Sequence, residues 1–356
     1  MSNNRQHFHT FDALRFFSFL LVFIHHSPVP DSSFLSFFSK SGGIGVVFFF
    51  VLSGFLITYI LIHEKNRTEK ISLKKFYIRR ILRIWPLFYA MILFAFITPY
   101  LLNILQLPYS AEGYQPNWLM SVLFLENYKM IIEGGFPNVS PLSVMWTLCI
   151  EEHFYIVWGI LISIIPLKRI PHLITGSILL ASISRIIYSH YGLSTIDLIS
   201  NIDYFAFGAI PAYILVCKTE ILGRLDKLNR SLKYLAASAS LILIFGIPNL
   251  ETEWLDFVAP LLFGTFFSLT ILWTLPQNNH LKISDKLWIS KLGVFTYGLY
   301  LFHTIVINLF LNLKISSFDF NWILILITSL ITTILISIVS YHIFEKHFLK
   351  LKVYFY

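Results

Sequence analysis

Arg15 and His26 stand eleven positions apart in an apolar stretch of the 356-residue chain. At 100° per residue, eleven residues come within about 20° of three full turns. One helix face therefore carries both side chains, roughly 16 Å apart along the axis. An imidazole can act as a base and a guanidinium can hold an anion. Asp12 precedes Arg15 by three residues and is placed to pair with it. His25 points about 100° away and reads as an interfacial or packed side chain.

A second constellation lies in KKFYIRRILRIWPLFY, 74–89. Arg80 and Arg83 are three apart, and Arg79 and Arg83 four apart, so they cluster where a helix enters the membrane. Two readings apply. The cluster either anchors the chain to anionic lipid or forms a guanidinium clamp for a phosphorylated donor. A third constellation is SVMWTLCIEEHFYIVWG, 143–159, where Glu151 and Glu152 precede His153 inside an apolar run. If that helix enters from outside, both acids lie level with His26, and a carboxylate there would orient the imidazole. The plainer reading is a structural buried pair. In TYGLYLFH, 296–303, Tyr297, Tyr300 and His303 recur every third residue, as core packing or as a polar stripe.

Other polar groups carry less. GGIGVVFFFVLSGFLI, 42–57, has small residues that permit close helix approach, and no base for Ser53 is evident beside it. Arg185 and Asp203 fall near the ends of two apolar runs and could pair or line an acceptor entrance. Glu345 with Lys346 reads as an interfacial cap. No metal-ligand spacing appears.

The elements that must position these groups follow from composition. Hydrophobic residues make up 56% of the chain and charged residues 13%, with mean hydropathy +0.70. A soluble domain has roughly 25% charged residues. The chain is therefore neither a soluble globular enzyme, nor disordered, nor a disulfide scaffold, and lipid is its solvent. A spanning helix needs about 20 apolar residues. Ten stretches qualify: 11–29, 43–63, 84–106, 145–166, 171–188, 201–217, 234–250, 256–275, 292–313 and 320–344. The segment 118–128 is short and reads as interfacial or re-entrant. With the N-terminus inside, 22 of the 27 Lys and Arg fall in inner segments. Lys40, Lys129 and Lys314 alone fall in outer loops, a bias that supports both termini being cytoplasmic. The expected fold is an all-α polytopic transmembrane bundle of about ten spans. It forms one domain over 1–356, with no appended soluble domain. The net charge of +8 then marks a membrane face rather than nucleic-acid binding. Cys149 and Cys217 fall toward opposite faces, which disfavours a bridge. The first apolar run lacks a clean cleavage site and reads as a retained span.

Together these motifs resemble acyltransferase family 3 of integral membrane proteins. The resemblance rests on Arg15 with His26, FFFVLSGFLI at 48–57, RRILRIWPLFY at 79–89, WTLCIEEHFY at 146–155 and YGLYLFH at 297–303. The chain departs from the family's usual pattern at Val47, where many relatives have an acid, and at Thr147, where serine is frequent.

The resemblance implies an O-acyltransferase of the bacterial cytoplasmic membrane. It implies transfer of an acyl group, usually acetyl from acetyl-CoA, to a hydroxyl of an extracytoplasmic or lipid-linked cell-surface glycan. Acetyl-CoA would be a donor substrate, with no permanently bound cofactor and no metal. Some relatives carry a hydrolase-like domain, so a separate extracytoplasmic partner is a further expectation. On this reading Arg80, Arg83 and Arg79 hold the coenzyme A phosphates, and Arg15 helps hold the donor near the inner mouth. His26 is a general base or transient acyl carrier, Glu151 or Glu152 fixes its tautomer, and Tyr300 and His303 donate to the oxyanion. The rival reading is a transporter or flippase for a polar or polyisoprenoid-linked substrate, which many spans and intramembrane charges also suit. The absence of a visible inverted repeat counts against it.

Overall fold

A computed structural model describes residues 8–104, 106, 113–250, 252, 254–275, 281–312 and 321–355. Apart from one isolated bridge between Tyr114 and Pro137, these residues form helices and loops. Ten long helices fall on the ten expected apolar stretches. They are α1 (His9–His26), α2 (Gly42–Thr68), α3 (Leu73–Ile104), α4 (Trp146–Ile164) and α5 (Ile170–His190). The rest are α6 (Leu198–Cys217), α7 (Arg230–Gly246), α8 (Leu255–Thr274), α9 (Thr296–Asn312) and α10 (Asn321–Ser340).

Among the described residues, eight helical segments are long and apolar enough to cross a membrane. The architecture is thus all-α and polytopic. α1 and α9 fall outside that set: Asp12, Arg15, His25 and His26 interrupt the apolar run of α1, and α9 is described over 17 residues. Arg5 and Lys314, counted in the charge bias, lie outside the described residues.

Two edges differ from expectation. α3 starts at Leu73 rather than near 84, so Arg79, Arg80 and Arg83 stand on the helix itself. α10 does not stop near 344. It passes through a π-helical turn, Tyr341–Glu345, into Lys346–Leu351 and a 3₁₀ turn, Lys352–Phe355. The segment 118–128 is no span. It holds a short helix, Trp118–Val122, and the start of another, Glu126–Glu133.

Lipid is as apolar as leucine, so helices associate by close packing and buried hydrogen bonds. α2 and α6 meet where neither has a side chain. A Cβ on Gly54 would lie 2.1 Å from the Phe205 carbonyl oxygen, and one on Gly208 would lie 1.9 Å from that of Val51. The Phe205 ring stacks on Phe50 at 4.8 Å and on Phe154 at 4.0 Å, locking α2, α6 and α4 together. The Trp158 indole donates to Thr58 at 2.8 Å. Lys65 caps the C-terminus of α4, donating to the carbonyls of Ile162, Ser163 and Ile165. A cation there also suits the helix dipole. These contacts make α2, α4 and α6 the frame on which the site is built.

Candidate active site

The α1 face predicted from spacing carries two distinct environments. Arg15 donates to Asp12 at 2.6 Å and lines a cavity of about 320 Å³. α2 contributes Ser53 to its wall, α3 Arg80 and Arg83, α4 Glu151 and Tyr155, and α9 Tyr300. A smaller cavity of about 170 Å³ adjoins it, sharing Arg15, Arg83 and Tyr297 and adding Asp12 and Glu345. Arg80 is half-buried, with its guanidinium 5.5 Å over the Tyr155 ring. Arg83 is exposed. This arginine end can hold a polyanion.

His26 lies at the other end of α1 and is exposed. Its Nδ1 is 2.9 Å from the Val22 carbonyl oxygen and 3.3 Å from Nε2 of His303. His303 is fully buried, and its own Nδ1 faces the Tyr300 carbonyl oxygen. One tautomer set satisfies every contact. His303 donates from Nδ1 to Tyr300 and accepts at Nε2. His26 donates from Nδ1, and its Nε2 lone pair stays available. The site thus presents a basic nitrogen at one end and cations at the other.

Tyr300 stands between the two. Its ring lines the cavity, its carbonyl holds His303, and its hydroxyl donates to the Val144 carbonyl at 3.0 Å while accepting from Thr147 at 2.9 Å.

Several expectations need correction. Glu151 and Glu152 do not contact His26. Thr147 is level with Tyr300, one turn below His303, and Glu151 is another turn along α4. The acids therefore sit about 6 Å deeper than Thr147. The Glu151 carboxylate accepts from Ser53 at 2.9 Å and from Tyr155 at 2.7 Å, and Glu152 from Trp85 at 3.3 Å. Ser53 accordingly has a carboxylate partner that the sequence did not reveal. Tyr300 and His303 are not placed as oxyanion donors, because the hydroxyl and both ring nitrogens are engaged within the protein. Arg79 turns away from the cavity. It donates to the Phe355 carbonyl at 2.6 Å and pairs with Glu64 at 3.7 Å. Glu345 is no interfacial cap: the π turn carries it into the bundle, where it is buried against the smaller cavity. Arg185 and Asp203 pair bidentately at 2.7 and 2.6 Å, with Asp203 fully buried. Among the described residues, no group of three or more His, Cys, Asp or Glu is placed to hold a metal ion.

The described part of the loop between α3 and α4 is anchored, with Ser140 donating to Thr304 of α9 at 2.8 Å. Glu126, buried, accepts from Tyr114 and Ser121. Burial and that bond push the Tyr114 hydroxyl upward, keeping it a donor. The His153 ring lies 5.6 Å from that of Tyr128.

Comparison with known proteins settles the class. The family described as an acyltransferase domain matches residues 8–342. The chain belongs to this acyltransferase family. Among curated relatives, the peptidoglycan O-acetyltransferase OatA of Listeria monocytogenes is 26% identical over 327 residues, covering 86% of this chain and 50% of that protein. The putative peptidoglycan O-acetyltransferase YrhL of Bacillus subtilis is 35% identical over 153 residues, 41% of this chain and 22% of that protein. The O-acetyltransferase OatA of Staphylococcus aureus is 29% identical over 176 residues, 48% of this chain and 27% of that protein. The acyltransferase chain spans at most half the length of these relatives. No solved structure matches it.

Proposed function

We propose that the protein is a membrane-bound O-acetyltransferase. It takes an acetyl group from acetyl-CoA at the arginine end, on the cytoplasmic side, and delivers it to a sugar hydroxyl of cell-wall glycan at the histidine end. The observation that carries this reading is the separation of the two ends along α1. Cations for phosphate and a basic nitrogen for proton transfer lie about 16 Å apart. The donor must therefore hold its reacting carbonyl far from its phosphates, as a long pantetheine arm does. The curated relatives' names supply the acceptor class, peptidoglycan.

The chemistry balances without another reactant. Nε2 of His26 takes the proton of the sugar hydroxyl, and the oxygen attacks the thioester carbonyl. The tetrahedral intermediate expels the thiolate, which recovers the proton from the imidazolium. The products are an O-acetyl ester and free thiol. The Nδ1–H of His26 is shared between the Val22 carbonyl at 2.9 Å and Nε2 of His303 at 3.3 Å, and together they fix the ring, the role a carboxylate fills in hydrolytic triads. Tyr300 holds His303 by its carbonyl and closes the cavity below it. Passage of the thioester past Tyr300 requires its ring to swing from Thr147 and Val144.

Mass spectrometry of wall glycan tests the reading. Cells lacking the protein should lose an O-acetyl group that the wild-type gene restores and His26→Ala does not. An unchanged glycan in the deletion strain would reject this acceptor.

A further inference from the structure

The π turn of Tyr341–Glu345 does more than bury Glu345. It redirects the following segment so that Lys346–Leu351 and Lys352–Phe355 pack on α3 beside the arginine cluster. Arg79 fastens that segment through the Phe355 carbonyl. Leu349 lines the smaller cavity, and Lys352 follows it by three residues on the same face. Lys352 is half-buried, and burial first, then the like charges of Arg83, Arg80 and Arg79, push its ammonium down to about 6, so an anion joining the cluster is what favours its charged form.

The charges at this mouth are not all paired. Arg15 is paired with Asp12 and Arg79 with Glu64. Among the described residues, Arg80, Arg83 and Lys352 have no carboxylate within ion-pair distance. Glu345 faces the same cavity yet lies beyond that distance from Arg83. Cations at a membrane protein's cavity that lie beyond ion-pair reach of the acids lining it mark a place for an anionic ligand.

We propose that Lys352 is a donor-binding residue, supplying with Arg80 and Arg83 a third cation for the phosphates of a nucleotide-linked acyl donor. The π turn and the Arg79–Phe355 bond are the devices that position it. The assignment rests on the donor reading above and adds the C-terminal segment to the site. The shared chemistry is a phosphate group, which an anionic lipid headgroup also carries.

The experiment titrates coenzyme A against the full chain in lipid discs of phosphatidylcholine, at low salt. Wild type should bind, Lys352→Ala should bind about tenfold more weakly, and Lys352→Arg should retain most of the affinity. Lys350→Ala, on an exposed neighbour, should match wild type. Thermal unfolding of each variant reports whether the fold is kept. Wild type binding coenzyme A with Lys352→Ala binding equally well would overturn this assignment and leave the donor reading standing. Wild type failing to bind would overturn both. Repeating the titration in discs with phosphatidylglycerol separates the phosphate sources. A Lys352→Ala effect seen only there would assign the lysine to lipid and refute the proposal.

Discussion

Nδ1 of His26 lies 3.3 Å from Nε2 of His303, joining residues 277 positions apart. The rings meet at 66° with centroids 5.0 Å apart. One ring is exposed and the other sealed in the core, so the pair reads as a working imidazole on a fixed support. The support is built entirely from α1 and α9, with no carboxylate in it.

This geometry makes His303 a positioning residue. His303→Ala should lower kcat by about 10²-fold with little change in donor KM. His303→Gln, which keeps an acceptor in the pocket, should recover part of the loss. Steady-state kinetics with varied donor would check the split. A rise in donor KM alone would instead place His303 in donor binding.

Glu151 belongs to the other end of the site. In Glu151→Gln the amide oxygen still accepts from Ser53 while its nitrogen faces the Tyr155 hydroxyl. Donor KM should shift a few-fold, and kcat at saturating donor should keep the wild-type pH profile. A loss of about 10³-fold in kcat with an altered profile would return Glu151 to the role of partner for His26.

Much of this arrangement was legible in the sequence, and the losses have physical causes. Hydropathy located all ten long helices, because backbone polar groups in lipid leave few alternatives to a helix. Spacing alone put Asp12 beside Arg15. Depth was harder. The sequence alone puts Glu151 and Glu152 level with His26, yet the register of α4 against α9 is set by Thr147 meeting Tyr300, a contact between residues 153 apart. Arg79 shows the same limit. Its neighbours Arg80 and Arg83 face the cavity, and its own direction is decided by Phe355, which arrives only after the π turn. Nothing in the local pattern YHIFE distinguishes a π turn from a regular one, so Glu345 read as a cap.

Asp203 and Arg185 should matter for stability rather than rate. Asp203→Ala leaves a buried guanidinium without its partner, a loss of about 3–5 kcal/mol. Replacing both residues with apolar ones of similar volume should recover most of it. Thermal unfolding in detergent measures both. Equal stability of Asp203→Ala and wild type would mean that water reaches Arg185.

The α2–α6 contact should tolerate no added atom. Gly208→Ala drives a methyl into the Val51 carbonyl, and the helices must part, at about 1–3 kcal/mol. Gly134→Ala tests the contrast: its left-handed backbone is strained by a side chain, but open space surrounds it. It should cost about 1 kcal/mol and leave the bundle intact. The two variants are compared by unfolding midpoint, and a larger loss at Gly134 would contradict the close-packing account.

The central claim is that His26 performs the proton transfer that moves an acyl group. It is tested most directly with purified full chain, radiolabelled acetyl-CoA and a peptidoglycan-derived oligosaccharide, following label into the sugar. Wild type should form an alkali-labile O-acetyl sugar. His26→Ala should bind donor normally and transfer no label. Transfer by His26→Ala at the wild-type rate would contradict the account.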